Sequence, residues 1–178
     1  EHGMGAVAVK NTAHFGMLAY YVLQAIDQDM IGMAMVSAGG GAMLPVYGAE
    51  PAFGTQPIAW GAPANKMPPF VFDVATTQVA ANKLLLTRRI GSKIEPGWIA
   101  NLDGSPIMEA VDVPEFGQFK MLPFGGIREN GGHKGYGFAA IADIMSGILS
   151  GNGPGFIADR AIRSSSWLST LTHFWMLT

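Results

Sequence analysis

Short apolar segments, each ended by glycine, proline or a polar loop, constrain the fold of this chain most. Nearly continuous apolar runs predict buried strands. They lie at residues 5–10, 31–37 and 69–74. Helical spacing of apolar residues predicts helices. These lie at residues 15–27, 76–89 and 136–150. Strands mixed with helices, with no internal repeat and no linker, predict a mixed α/β or α+β body.

Composition narrows the class of protein. Hydrophobic residues make up 49% of the chain and charged residues 13%, whereas soluble domains carry about 25% charged residues. A buried subunit interface explains this bias, and so does a body taken from a larger fold. The net charge is −2 and basic residues do not cluster, which argues against nucleic acid as a partner. The chain contains no cysteine, so disulfides and thiolate metal sites are excluded.

The sequence shows no signal for a membrane or for export. No apolar run reaches the roughly 18 residues of a membrane span, and a basic, then apolar, leader is not evident. We therefore expect a cytoplasmic protein. The four histidines are far apart in sequence, and no metal site is predicted.

One glycine motif resembles a dinucleotide-binding fingerprint. Gly135, Gly137 and Ala140 have the spacing of that motif, but a polar loop precedes them where the fingerprint requires a strand. The sequence therefore predicts a glycine-rich loop that opens a helix, without Rossmann topology. Backbone N–H groups at a helix N-terminus favour an anion, and Lys134 is placed to help bind one.

Two residues are candidates for chemistry because of their place beside strands. His14 follows the first strand in a loop, where an imidazole can exchange a proton with a substrate oxygen. A histidine that caps a helix or is buried in the core is the structural alternative. Asp73 interrupts an apolar strand. It is either a functional acid at the strand end or a carboxylate that caps the next helix.

Several segments, in this order, resemble the malate/L-lactate dehydrogenase family, which includes ureidoglycolate, sulfolactate and diketogulonate oxidoreductases. The similar segments are residues 2–16, 53–58, 72–77, 96–98, 102–106, 122–126 and 132–137. The resemblance covers about residues 1–155. It implies a mixed α/β fold with a largely antiparallel sheet, a homodimer, and an NAD or NADP cofactor held without a Rossmann domain.

The resemblance also implies roles for individual residues. His14 matches a substrate-side acid/base, and Asp73 matches an acid near the reacting centre. The cofactor-lining positions are Ser37, Phe72, Asp73, Val74, Ala75, Thr76, Pro123 and Phe124. His133 and Lys134 belong to the family's His-Lys-Gly motif and are assigned to the cofactor as well, in agreement with the anion argument. Gln56 stands where the family more commonly has asparagine.

The ends of the chain depart from the family pattern. Members begin earlier, with a Ser-His-Gly…Arg element whose histidine and arginine are proposed to move the proton and hold the substrate carboxylate. We expect a piece of a longer protein, with a partial catalytic body at residues 1–155 and a divergent or truncated tail at residues 156–178. The Ser/Trp-rich end is either an interface helix or a truncated or misread end.

The implied activity of the complete protein is hydride transfer between NAD(P) and a small 2-hydroxy or 2-keto acid. A non-catalytic nucleotide-binding body, or an inactive truncated one, is the alternative. The sequence leaves the choice between NAD and NADP open, and it leaves the acid open too.

Overall fold

A computed structural model of the chain describes residues 3–39, 41–157 and 169–177. The strands are β1 (Met4–Thr12), β2 (Met30–Ala38), β3 (Ile58–Ala62), β4 (Phe70–Val74), β5 (Ile99–Ala100), β6 (Lys120–Met121) and β7 (Ser169–Leu177). The helices are α1 (Ala19–Ile26), α2 (Ala81–Arg89) and α3 (Gly132–Asp143). A 3₁₀ turn, Arg128–Asn130, precedes α3, and a π-helical segment, Ile144–Ile148, continues it.

The main sheet has the order β1-β7-β2-β3-β4, and each neighbouring pair is antiparallel. A separate two-stranded sheet pairs β5 with β6. The predicted fold class, a mixed α/β body with a largely antiparallel sheet, is confirmed. The rejection of a Rossmann site agrees with this architecture, since Gly135 and Gly137 lie inside α3 and a 3₁₀ turn precedes that helix.

Helix α1 packs closely against one face of the main sheet because two glycines lie beneath it. A Cβ atom built on Gly32 would lie 2.9 Å from the Ala25 Cβ and 2.9 Å from the Val22 Cα. A Cβ on Gly61 would meet Val22 as well. Val22 is fully buried there, in a cluster with Leu18, Ala34, Val36 and Ala59. The small residues of β2 and β3 thus allow the helix to approach the sheet.

The opposite face of β3 and β4 carries exposed aromatic side chains. Trp60 pairs with Phe72 across these strands, so their side chains share a face. Trp60 is 44% exposed, Phe72 43% and Phe70 59%. Contiguous exposed apolar surface marks a site that another body covers. This face accounts in part for the low charge of the chain.

A second apolar cluster lies away from the main sheet. Leu84 of α2 and Ile99 of β5 are fully buried in it, together with Ile94. An exposed ion pair joins Arg88 of α2 to Glu115. The carboxylate raises the pKa of Arg88, and the guanidinium lowers the pKa of Glu115, so each partner favours the charged form of the other. The chain between the two clusters runs through residues 75–80, which therefore connect the two parts of the molecule.

The predicted strands at residues 5–10, 31–37 and 69–74 are confirmed as β1, β2 and β4, but the burial expected for β1 is wrong, since Val7 and Val9 are exposed. The helix starts are corrected. Helix α1 begins at Ala19 and not at residue 15, because the chain up to Leu18 forms the loop that carries His14. Helix α2 begins at Ala81 and not at residue 76. Thr76 instead forms hydrogen bonds with the backbone of two other segments, as described below. Helix α3 begins four residues before Tyr136.

The C-terminal segment and one strand differ from expectation. Residues 169–177 form β7, so an interface helix there is wrong; residues 158–168 lie outside the described part. Strand β3 lies in a segment rich in glycine and proline, residues 43–69, where no strand or helix was predicted. The division of the chain at residue 155 stays a prediction.

The contact between α1 and the sheet predicts opposite effects for two glycine substitutions. Gly32→Ala should lower the free energy of unfolding by about 1–3 kcal/mol, because its methyl group meets helix backbone that must shift. Gly137→Ala should raise it by up to about 1 kcal/mol, since α3 gains helix propensity and nothing lies within 4 Å of the added Cβ. Urea titration followed by circular dichroism measures both. Equal midpoints for the two variants would contradict the close packing.

Candidate functional site

Thr76 joins two predicted cofactor segments, residues 72–76 and 123–124, and bonds to a third segment at Thr55. Its N–H and its hydroxyl both donate to the Thr55 carbonyl oxygen, at 2.9 Å each. The Thr76 carbonyl oxygen accepts the Phe124 N–H at 2.8 Å. Thr76 is fully buried. The structure therefore places the end of β4 beside Pro123 and Phe124, as the resemblance implied. We call residues 72–76 with Pro123 and Phe124 the cofactor wall.

The first turn of α3 lies against the same wall. A Cβ on Gly135 would lie 2.4 Å from the Phe124 carbonyl oxygen, and one on Gly132 would lie 2.3 Å from the Gly126 carbonyl oxygen. Only glycine allows this approach. His133 and Lys134 are exposed on that turn, and the Lys134 Nζ would lie 3.4 Å from a Cβ on Gly131, at the positive end of the α3 dipole. An anion can bind there.

Ser37 lies deeper than a direct cofactor contact requires. It is only 4% exposed, and its hydroxyl donates to the Asp143 carboxylate at 2.5 Å. Gln56, fully buried, links it to the wall: its Nε2 donates to Asp143 at 2.9 Å and to the Ser37 hydroxyl at 3.4 Å. The assignment of Ser37 to the cofactor stays a prediction.

His14 lies in the exposed loop between β1 and α1. A core histidine is therefore wrong. Its Nδ1 accepts the Gly16 N–H at 2.9 Å, so in the neutral ring Nε2 carries the proton. In this arrangement the ring can donate a hydrogen bond to a substrate oxygen. It can accept a proton at Nδ1 only after the bond to Gly16 breaks.

Asp73 connects the wall to the loop of His14. Its Oδ2 accepts the Ala19 N–H, the first residue of α1, at 2.8 Å. Asp73 thus caps a helix, as the structural alternative predicted. The prediction that it caps the next helix in sequence is wrong, because the helix is α1. The negative charge of a carboxylate at the N-terminal end of a helix also interacts favourably with the positive end of the helix dipole. Because His14 lies in the loop that leads into α1, Asp73 places the two predicted catalytic residues in one region.

A cleft of about 380 Å³ meets the wall at Pro123, and its lining includes none of His14, Asp73 or Lys134. Leu44, Leu122 and Pro123 are among its apolar lining residues, and the backbone at Gly126 is part of its rim. Tyr47 also lines the cleft, with the Arg128 guanidinium 5.1 Å from the centre of its ring. This size falls within the range of small-molecule sites.

Tyr136, on the first turns of α3, packs its ring 4.9 Å from that of Phe53, measured between centroids. Partial burial raises the pKa of the Tyr136 phenol. This side chain thus stays protonated at neutral pH.

Two buried polar residues of this site were not predicted from the sequence. Gln56 was noted only as a departure from the family's asparagine. Asp143 went unnoticed, although an acid within the apolar run of α3 is itself a signal, since a buried carboxylate requires hydrogen-bond partners. Within residues 3–39, 41–157 and 169–177, no group of His, Asp or Glu side chains is placed to hold a metal ion.

Comparison with known proteins decides the family. The sequence profile described as malate/L-lactate dehydrogenase matches residues 1–177. The chain belongs to the malate/L-lactate dehydrogenase family. It is 40% identical over 175 residues to a malate dehydrogenase of Pyrococcus abyssi, with 98% of the chain and 46% of that protein covered.

Other members of the family show its chemical range and its fold. A Delta(1)-pyrroline-2-carboxylate reductase 1 of Burkholderia ambifaria is 34% identical over 152 residues, covering 85% of the chain and 42% of that protein. The crystal structure of malate dehydrogenase from Entamoeba histolytica superposes with a TM-score of 0.85 at 31% identity, covering 98% of the chain and 49% of that structure. The chain thus spans about half the length of the relatives it matches.

Family membership confirms the resemblance and places the chain among oxidoreductases. It does not test the individual site residues, and their roles stay predictions. Among the helices of the described residues, none is long and apolar enough to cross a membrane.

The bond from Asp73 to α1 predicts a measurable contribution to stability. Asp73→Ala should lower the free energy of unfolding by about 0.5–2 kcal/mol, as the loss of a helix cap does. Asp73→Asn keeps an acceptor oxygen and should lose less. Asp27→Ala, at the opposite end of α1, is the control: it removes a negative charge from the C-terminal end and should be neutral or slightly stabilising. Urea unfolding of the three variants checks this, and a neutral Asp73→Ala would refute the capping role.

Proposed function

We propose that the complete protein transfers a hydride between NAD or NADP and a small 2-hydroxy or 2-keto acid. The single observation that carries the proposal is the wall itself, because the backbone of Thr76 joins the end of β4 to Phe124. Two relatives are named as a malate dehydrogenase and a Delta(1)-pyrroline-2-carboxylate reductase. Their names support a small substrate that carries a carboxylate.

The residues of this chain fit a nicotinamide nucleotide. Gly125 and Gly126 have positive φ angles of 87° and 67°, and a Cβ on Gly125 would collide with the Gly131 backbone. The glycine at position 125 thus allows this turn to pack against the residue that caps α3. Lys134 and the α3 N-terminus suit a phosphate. When bound, the cofactor accepts or supplies the hydride at the 2-carbon of the acid.

The chain's own residues orient the reactants and form a hydrogen bond to the reacting oxygen. Pro123 and Phe124 give the wall an apolar surface that excludes water. In the direction of reduction, the Nε2–H of His14 hydrogen-bonds to the carbonyl oxygen and stabilises the charge that develops there. Asp73 fixes the start of α1 and with it the loop of His14. A carboxylate clamp, which the resemblance places upstream, is not among the residues that we assign.

One observation favours the alternative, a nucleotide-binding body without turnover. The chain covers only 46% of the Pyrococcus relative. A missing orienting group alone lowers a rate by orders of magnitude. We also propose a homodimer and a cytoplasmic location for the complete protein; light scattering tests the first, and the exposed aromatic face of β3 and β4 offers a contact surface.

Two measurements separate these functions. Quenching of NADH or NADPH fluorescence tests binding to the isolated chain, and steady-state assays with malate, lactate and ureidoglycolate test turnover. We expect binding with negligible turnover for the chain, and turnover for a version carrying the complete family sequence. Ordinary turnover by the chain alone would contradict the expectation that the chain binds the nucleotide without catalysing the reaction. A complete protein that oxidises no 2-hydroxy acid would overturn the proposed function.

His14→Ala provides the sharper test in the complete protein. A group that donates to the reacting oxygen should lower kcat by about 10²–10⁴-fold when it is removed, with little change in the Kd of the cofactor. A histidine that only stabilises its loop would instead lower the melting temperature and leave turnover per folded molecule intact. Both quantities are measured on one preparation. An early-melting variant with normal kcat means that His14 is structural.

A further inference from the structure

The Asp143 carboxylate is buried where α3 passes into the π-helical segment. It is 2% exposed, and its Oδ1 accepts three hydrogen bonds. The donors are the Ser37 hydroxyl at 2.5 Å, the Gln56 Nε2 at 2.9 Å and the Gly155 N–H at 3.1 Å. Among the described residues, its Oδ2 accepts the Gly155 N–H alone, at 3.2 Å. A buried carboxylate is tolerated when it is bonded in this way.

Gln56 holds an uncommon backbone conformation beside this carboxylate. Its φ angle is +32°, in the left-handed region that non-glycine residues rarely adopt. Such a conformation persists only when the surroundings determine it. Both ends of the Gln56 amide are bonded: Oε1 accepts the Ala38 N–H at 2.8 Å, and Nε2 donates to Asp143. The side chain is thereby fixed, with Asp143 as the charged acceptor.

The conformation of Gln56 decides where the preceding carbonyl points. The Thr55 carbonyl belongs to the peptide unit that ends in the Gln56 nitrogen, so a rotation at Gln56 turns it. That carbonyl oxygen accepts both hydrogen bonds from Thr76, and the Thr76 carbonyl oxygen accepts the Phe124 N–H. A continuous series of contacts therefore leads from Asp143 through Gln56 to the cofactor wall.

We propose that Asp143 is a positioning residue of the cofactor wall: through Gln56 it sets the direction of the Thr55 carbonyl and so the placement of Thr76 and Phe124. The term cofactor rests on the proposed function. The mechanical part, the coupling of Asp143 to Thr76, does not depend on it.

Amide hydrogen exchange in the full chain, without any nucleotide, tests the coupling. Asp143→Ala should speed exchange at the Ala38, Thr76 and Phe124 amides by roughly tenfold or more relative to the Ile94 amide, which donates to Val111 in the other apolar cluster. Asp143→Asn keeps an acceptor oxygen for Gln56 and should restore rates close to those of the unsubstituted chain. Asp143→Ser, polar but too short to reach Gln56, replaces the alanine variant if that one fails to fold.

Ser146→Ala is the matched control. Ser146 is fully buried in the same helical run, and its hydroxyl donates to the Ala142 carbonyl without touching Gln56. It should leave the ratio of Thr76 to Ile94 exchange unchanged. If Asp143→Ala, or its serine replacement, speeds exchange equally at Thr76 and Ile94, then Asp143 contributes only to global stability and the proposal is overturned.

Fluorescence titration with NADH and NADPH extends the test to function. The Kd should rise at least severalfold for Asp143→Ala or Asp143→Ser, and it should stay near the original for Asp143→Asn and Ser146→Ala. An unchanged Kd in a variant whose Thr76 amide has loosened would overturn the role towards the cofactor. If the unsubstituted chain binds neither nucleotide, the proposed binding by this chain fails, whereas the exchange ratios still decide whether Asp143 positions the wall.

Discussion

Thr76 carries the constraint on which the arrangement of this molecule depends. Its N–H and hydroxyl share one acceptor, the Thr55 carbonyl, and its own carbonyl receives the Phe124 N–H. Thr76 is fully buried, and a buried backbone group without a partner costs about 1–3 kcal/mol, against about 1 kcal/mol for the net contribution of a typical hydrogen bond. The path of the segment between β4 and α2 is therefore fixed by these bonds. The sheet covered by α1 and the cluster around Ile99 keep a fixed relation through it.

The apolar segments predicted β1, β2 and β4, and they predicted burial correctly only for β2, whose character is uniformly apolar. β2 lies inside the sheet with neighbours on either side, and its sequence contains no charged residue. Helix starts were less predictable. Residues 15–18 and 76–80 have compositions compatible with a helix, but their backbone groups bond to distant partners, as Thr76 does to Thr55. Tertiary hydrogen bonds of that kind leave no local periodicity.

The candidate site divides in the same way. His14 and Asp73 were predicted because His14 follows an apolar strand and Asp73 interrupts one. Both positions can be read directly from the order of residues in the sequence. The helix that Asp73 caps lies 54 residues earlier in sequence, and the sequence suggested the next one. The link between Ser37, Gln56 and Asp143 joins three distant segments. Only the acid inside an apolar helix hinted at it, and nothing in the sequence named its partners.

Strand β7 has a consequence for how the protein forms. It is the last described element, yet it lies between β1 and β2, and Met4 pairs with Met176. Among the described strands, β1 pairs with β7, so its pairing waits until the chain has been translated as far as β7. Contacts that distant in sequence slow folding, and an unpaired strand is prone to wrong association in the meantime. The order of translation thus delays completion of the main sheet until β7, one of its inner strands, has been made.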